Sequence, residues 1–475
     1  MPHKGPHISI SPEYVVNRIL RINRNDFEEW PESVRRLAIE IAEELFLASY
    51  NPFIDADTVR QSVRKRYEGE SFALAHHYAT SIGEGITMFW SAYEAERDFR
   101  GSLVSALKDI LPDECIITRP GALVENATDA TDLRMELPLL VVEPDTTEQV
   151  ARVVRLANDM KFAIIPRGGG SGATGGAVPA RKRTLIVSLT RLTRIGPIDT
   201  ENMTMICQAG VITQEAIKAV DKAGAFFSVD PASKLASSIG GNISENAGGP
   251  CAFEYGTTLD NLLWWRMVTP TGEIITVERE NHPRHKILPD ETATFVVKDI
   301  SGGVRNVVQL RGDEIRLPGL GKDVTNKVLG GLPGMQKEGV DGLITEACFI
   351  IHPKPKHSRV MVLEFFGRSM HPAAVVVREL VALRNRIREK GDYARLSALE
   401  EFNAKYVQAI EYKRKSAKYE GDPISVIVLQ VDGDDTFLLD QCVKEIVQVV
   451  EQQDNVDIMV ARDAREAEHF WEDRH

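Results

Sequence analysis

The sequence predicts an α+β protein, and three patterns carry that expectation. The first hundred residues repeat apolar side chains at helical spacing. A strand–helix–strand unit beginning at Leu139 ends in a glycine-rich loop. Beyond Pro355, strand-like and helix-like runs alternate. At 475 residues the chain is long enough for about three domains. The boundaries read as a helical N-terminal region over 1–105 and a binding domain over 106–355, with an insertion at 277–322. An α+β domain follows over 356–475.

In the N-terminal region, Val34, Leu37, Ala38, Ile41 and Leu45 share one face at spacings of three and four. Arg35, Arg36, Glu40 and Glu43 take the other side, and Phe99, Leu103, Leu107 and Ile110 renew the pattern. No residue there carries chemistry, so it reads as a docking or interaction module. Residues 139–142 form a strand, Pro144 ends it, and Thr146 or Thr147 caps a helix bearing Val150, Val153, Val154 and Ala157. A second apolar run, 162–166, leads into the loop Pro166-Arg167-Gly168-Gly169-Gly170-Ser171-Gly172-Ala173-Thr174-Gly175-Gly176. Six glycines in nine residues make neither a packed strand nor a helix. Without side chains, successive N–H groups can converge on an anion such as a phosphate. Gly170-x-Gly172-x-x-Gly175 matches the dinucleotide fingerprint in letters only. That fingerprint needs a helix directly behind it, whereas here the chain runs into Val178-Pro179 and the basic turn 181–183.

A strand is expected at 203–207 and a helix at 213–223. The stretch Ser237-Ser-Ile-Gly240-Gly241-Asn242-Ile-Ser-Glu-Asn246-Ala-Gly248-Gly-Pro250 then repeats the economy of glycines and small polar groups. Two such segments point to a ligand long enough to touch both. Residues 277–322 are rich in Pro, Gly and charge and read as an excursion between core elements. The segment Leu332-Pro-Gly-Met-Gln-Lys-Glu338-Gly339-Val-Asp-Gly-Leu-Ile344-Thr345 precedes a strand ending at His352-Pro-Lys-Pro355. The final region reads as strand 360–366, helix 372–390, strand 424–431, helix 434–450 and strand 456–460, an antiparallel sheet with helices on one face.

Composition narrows the functions. A net charge of −12 disfavours a nucleic-acid partner. No run approaches 18 apolar residues and residues 1–10 lack an apolar core, so neither a membrane span nor a signal peptide is expected. Five scattered cysteines without a C-x-x-C pair argue against an iron–sulfur cluster or structural zinc, and fit a cytoplasmic setting. His76-His77 and His282-x-x-His285 lack cysteine partners and read as surface residues, so no metal site is expected.

The three glycine-bearing motifs, in this order and spacing, resemble the FAD-linked oxidase family, which shares the fold of p-cresol methylhydroxylase and vanillyl-alcohol oxidase. The D-lactate, glycolate and D-2-hydroxyglutarate dehydrogenase branch is the nearest, and the 332–339 stretch is similar to large members fused to an iron–sulfur module. The resemblance implies a two-subdomain FAD-binding domain followed by a cap domain that is incomplete at His475 relative to that family, as in a fragment or one subunit of a split enzyme. It implies that Pro166, Arg167, Gly168, Gly169, Gly170, Ser171 and Gly172, with Gly176 close by, hold the FAD pyrophosphate. Pro231, Ser237, Gly240, Gly241, Asn242, Asn246 and Gly248 correspond to the segment running toward the isoalloxazine, and Glu338, Gly339 and Ile344 to an element near the adenine half. The first loop has no histidine, which implies non-covalent FAD. Gln336-Lys337 and Val340-Asp341 depart from the family pattern, and its His-rich catalytic segment has no counterpart, so no catalytic residue is assigned. The implied function is oxidation of the CH–OH of a D-2-hydroxy acid, with electrons passed to an iron–sulfur or other acceptor protein. The chain would then be cytoplasmic, or peripheral to the inner membrane through a partner. The alternative is an FAD-binding electron-transfer or scaffold subunit without a complete substrate site. A reductase of the UDP-N-acetylmuramate type shares the flavin fold but fits the 338–345 motif less well.

Overall fold

The computed structural model describes residues 11–131, 133, 136–281, 284–317, 324–391 and 393–474. The chain folds as two compact units: Met1–Glu143 with Arg155–Ile165 and Ala177–Val187, and Pro144–Val154 with Pro166–Gly176 and Ser188–His475.

The first unit begins with helices α1 (Pro12–Leu20), α2 (Glu32–Tyr50), α3 (Ala56–Glu70) and α4 (His76–Lys108). Ser11 caps α1 by accepting from the Tyr14 N–H, and Asp55 caps α3 through two N–H groups. The stripe read from the sequence is the core: Val34, Leu37, Ala38, Ile41 and Leu45 pack with Val16, Leu20, Phe27, Val63 and Ile82. α4 continues beyond residue 105 to Lys108. A small sheet follows, with strands β1 (Ile116–Ile117), β2 (Leu140–Val142), β3 (Ala163–Arg167) and β4 (Thr184–Ser188) in the order β1-β2-β4-β3. β2 and β4 are parallel, and helix α5 (Thr147–Met160) makes the crossover from β2 to β3.

The second unit holds a six-stranded antiparallel sheet. Its strands are β5 (Thr204–Gln208), β6 (Leu262–Val268), β7 (Ile274–Glu280), β8 (Thr292–Asp299), β9 (Val304–Arg311) and β10 (Leu343–Ile350). They run in the order β9-β8-β7-β6-β10-β5. Helices α6 (Thr213–Lys222) and α7 (Ile239–Glu245) lie between β5 and β6 in the chain. The excursion expected at 277–322 therefore contains two strands that widen the sheet. Only alternate residues of β9, Val308 and Leu310, are buried, and its other side chains are solvated. That one-sided polarity hides an edge strand from an apolar-run reading. His282, Lys322 and His475 lie outside the described residues.

The rest of this unit is a four-stranded antiparallel sheet of β11 (His357–Phe365), β12 (Arg395–Asn403), β13 (Ser425–Gly433) and β14 (Val456–Val460), ordered β12-β13-β11-β14. Helices α8 (His371–Glu389) and α10 (Thr436–Glu451) cover one face through Leu380, Leu383, Cys442 and Ile446 against Leu363, Ile427 and Leu429. The other face is also covered. Val407 of α9 (Ala404–Ala409) and Phe470 of α11 (Ala464–Glu472) pack on Val360, Val362, Val426 and Val428. The expectation of helices on one face is corrected, because strand β11 is apolar on both sides and each face needs a cover. β12 was not anticipated. Its Glu400 and Glu401 break the apolar alternation, and Glu401 accepts from the Ser425 hydroxyl at 2.7 Å.

Candidate functional site

The glycine loop leaves the end of β3 half-exposed. Among the described residues, no backbone N–H in 169–172 donates to a protein acceptor. Gly169 is required by contact, since a Cβ there would overlap the Ala236 carbonyl oxygen. Gly168 likewise lies against the Ser238 hydroxyl. These two glycines let the first motif sit directly on the entry to the second. Gly170 has φ +65°, which turns its peptide the opposite way and brings the Arg167 guanidinium alongside.

The second motif is a helix at its centre, although its paired glycines read as a loop. Ser238 caps α7 by accepting from the Gly241 N–H at 3.3 Å. At Gly240 an added Cβ would stand 2.8 Å from Ala209 Cβ, so the helix presses onto the chain leaving β5. Asn246, left-handed at φ 50°, ends the helix. The third motif supplies the remaining caps: the Gln336 and Glu338 N–H groups donate to the Ile243 and Ser244 carbonyls at 3.2 and 3.0 Å. Gln336 and Glu338 both hold positive φ (55° and 51°), an uncommon state for residues with side chains. A Cβ at Gly339 would overlap the Pro166 ring, and one at Gly176 would sit 3.3 Å from Glu338 Cβ. The three motifs thus converge on one another.

Within that convergence the expected site residues divide. Pro166, Arg167, Gly168, Gly169, Gly170, Ser171, Gly172, Gly176, Gly241, Glu338 and Gly339 border the loop or its contacts. Ser237 and Asn242 are engaged internally. Ser237 Oγ is 2.8 Å from Thr213 Oγ1, which also accepts from Asn242 Nδ2 at 2.8 Å, and all three residues are buried. Asn246 Oδ1 accepts from the Leu259 N–H at 2.9 Å. Pro231 opens the turn ahead of Ser237, its carbonyl accepting from the Lys234 N–H at 2.9 Å, and Gly248 follows Asn246 along the chain. Ile344 is a buried strand residue paired with Met267 on β6. Sequence reading passed over Glu245, whose Oε1 accepts from the Thr174 hydroxyl at 3.3 Å and lies beside Gly172 and Gly176. Its signal was its place in the second motif, three residues after Asn242.

Behind the motifs lies a buried polar cluster that only the fold assembles. Asn261 Nδ2 donates to the Tyr255 and Thr257 carbonyls, so its Oδ1 accepts from Ser228 Oγ and from His352 Nε2, each at 3.0 Å. The hydrogen of His352 is therefore on Nε2. Burial, with Arg395 nearby, lowers its pKa to about 4, and its ring lies 4.5 Å from that of Tyr255. Asp230 is pushed up to about 6 by burial, with Arg474 opposing. Arg474 Nη2 donates to the Asp230 carbonyl at 2.6 Å, and its Nε lies 2.8 Å from Glu400. Lys337 is not free to act as a base: its Nζ donates to the Lys327, Val328 and Met335 carbonyls. No group of three or more potential metal-ligating side chains occurs among the described residues.

Residues 138–278 match the family model described as an FAD binding domain. This gives the chain an FAD-binding domain, with FAD as the cofactor, in a fold shared with p-cresol methylhydroxylase. The solved structure of p-cresol methylhydroxylase with substrate bound superposes with a TM-score of 0.56 at 16% identity, covering 79% of this chain and 69% of that one. Among proteins of known sequence, the chain is similar to the glycolate oxidase subunits GlcD of Bacillus subtilis (strain 168) and Escherichia coli (strain K12). They are 29% and 26% identical over 54% and 79% of this chain. A D-lactate dehydrogenase of Anaerostipes hadrus is 39% identical over 29% of this chain and 29% of its own length. The chain spans 45% and 64% of the length of the two GlcD subunits. No described helix is long and apolar enough to cross a membrane.

Proposed function

We propose that this chain is the flavin-carrying part of an FAD-dependent oxidoreductase. Its reaction is oxidation of the CH–OH group of a D-2-hydroxy acid of the glycolate, D-lactate or D-2-hydroxyglutarate class. Electrons pass to a separate acceptor, an iron–sulfur protein or another carrier. The observation that carries this reading is the row of unpaired N–H groups at 169–172, held against the second motif by side-chain-free contacts. That donor set fits a pyrophosphate, because successive N–H groups on a glycine turn concentrate positive potential without a bulky side chain. Residues 166–172 and Gly176 hold the pyrophosphate. Gly241 and Gly248 continue toward the ring, with Ser237, Asn242 and Asn246 fixing their backbone from behind. Glu338 and Gly339 close the adenine side.

When bound, FAD supplies a two-electron acceptor for the hydride leaving the substrate carbon. His352 is buried, stays neutral at pH 7, and donates from Nε2 to Asn261, which it orients. The first motif has no histidine, and the resemblance to the FAD-linked oxidases then implies a dissociable cofactor. Anaerobic titration of the FAD-loaded chain with D-lactate, glycolate and D-2-hydroxyglutarate tests the reading. The flavin absorbance should bleach with at least one acid, and acid precipitation should release the flavin to the supernatant. Bound flavin that none of the acids bleaches would instead leave the chain as an electron-transfer or scaffold subunit.

A further inference from the structure

A cavity of about 410 Å³ lies wholly within the first unit. Phe89, Leu123, Leu137 and Leu139 form its apolar wall, with the rings of Tyr50 and Tyr93 beside them. Leu139, just before β2, and Arg183, just before β4, line it at the N-terminal ends of these parallel strands. The cavity shares no residue with the flavin motifs.

The charges around the cavity do not balance. Its two carboxylates are already paired: Glu96 accepts from Arg183 Nε at 2.9 Å, and Glu136 is paired with Arg18. Arg183 is further fixed by lying 4.4 Å from the Phe99 ring centroid. Arg21, Arg100 and Lys182 line the same cavity without a carboxylate partner among the described residues. Arg100 is half-buried, with Nη2 donating to the Thr118 carbonyl at 3.1 Å, and burial lowers its pKa. Arg21 sits at the end of α1 in the left-handed region at φ 58°, where side-chain-bearing residues are uncommon. Three cations without a carboxylate partner among the described residues are unexpected around an apolar pocket in a chain of net charge −12.

We propose that this cavity binds a small organic anion, a carboxylate or sulfonate carried on an aromatic or short aliphatic body. The body fills the Phe89–Leu137–Leu139 wall. The anionic end takes charge-assisted hydrogen bonds from Arg100 and, at the rim, from Arg21 and Lys182. A volume of this size suits a small-molecule ligand. The assignment is independent of the flavin reading.

Fluorescence titration of the FAD-loaded full chain with anilinonaphthalene sulfonate tests it, with uncharged N-phenylnaphthylamine as the control. One molecule of the sulfonate should bind per chain, and the uncharged analogue at least about tenfold more weakly, the difference expected when charged hydrogen bonds are lost. Arg100→Met should weaken the sulfonate by about tenfold or more, and the exposed-rim change Lys182→Ser by severalfold. Leu137→Trp should abolish binding by filling the cavity. FAD content should not change in any variant. Equal binding of the two probes, or sulfonate affinity that none of the three substitutions alters, would overturn the proposal. Because Lys182→Ser removes no buried group, it decides the matter even if a core substitution impairs folding.

Discussion

The cradle formed by the three motifs and the polar cluster behind it are built on opposite principles. The cradle works through backbone: Gly169 and Gly339 are defined by what a Cβ would strike, and α7 is capped by the N–H groups of Gln336 and Glu338. The cluster works through side chains: Asn261 donates to the Tyr255 carbonyl and accepts from His352, and Arg474 donates to the Asp230 carbonyl. A backbone site should be intolerant of added atoms and indifferent to pH. A buried side-chain network should respond to pH, because its members resist charging.

The largest expected effect is on the cradle. Gly170→Asp places a carboxylate beside the N–H row. Two like charges about 4 Å apart repel by about 4 kcal/mol at an effective dielectric of ~20. The neighbouring Arg167 guanidinium offsets part of that, so FAD affinity should fall at least about a hundredfold. Equilibrium titration of the apoprotein with FAD measures it, and an unaltered affinity would place the phosphates elsewhere.

Next comes the pH response of the cluster. His352 has its pKa lowered from 6.5 to about 4, so protons favour the unfolded chain between those values. Its contribution is full above pH 6.5 and is lost as pH falls toward 4, a change of about 3 kcal/mol at 1.36 kcal/mol per unit. Asp230, raised from 3.8 to about 6, acts with the opposite sign, its contribution present at low pH and lost as pH rises through 6. The difference between wild type and His352→Gln isolates the histidine. Urea unfolding at pH 7 and pH 4.5 should show the variant losing less stability on acidification, and parallel pH dependence would remove His352 from the account.

The smallest effect sharpens the contrast at the third motif. Gln336 is left-handed and its Oε1 is buried without a partner. Gln336→Gly relieves a conformation that costs about 1–2 kcal/mol but adds freedom to the unfolded chain. A net gain of about 0.5–1 kcal/mol in urea stability is expected, with FAD retained. Loss of FAD instead would mean that the Gln336 side chain, and not only its backbone, belongs to the cradle.

The same contrast explains what the sequence revealed. Glycine carries a local signature, so the three motifs and the strand–helix–strand unit around Gly168 were legible from composition and spacing. So was the α2 stripe of Leu37, Ile41 and Leu45, because one apolar face repeats in the sequence. The two-faced C-terminal sheet was only half legible, since Glu400 and Glu401 disguise β12. The polar cluster was not legible at all. Ser228, Asn261 and His352 are ordinary polar residues until strand pairing brings them together, and Arg474 reaches Asp230 from the far end of the chain. Glu245 lay inside a recognised motif, yet nothing local distinguished a carboxylate facing Thr174 from one facing water.

The contact between Pro166 and Gly339 spans roughly 170 residues, and this separation has a consequence for biosynthesis. At about 5–20 residues per second, the third motif leaves the ribosome roughly 10–35 s after the first. Until then α7 lacks two of its C-terminal caps, and the glycine loop lacks its contacts with Glu338 and Gly339. Cofactor loading therefore belongs to the late stage of synthesis. A nascent chain arrested before residue 336 should carry no flavin, however much of its N-terminal helical core has already formed.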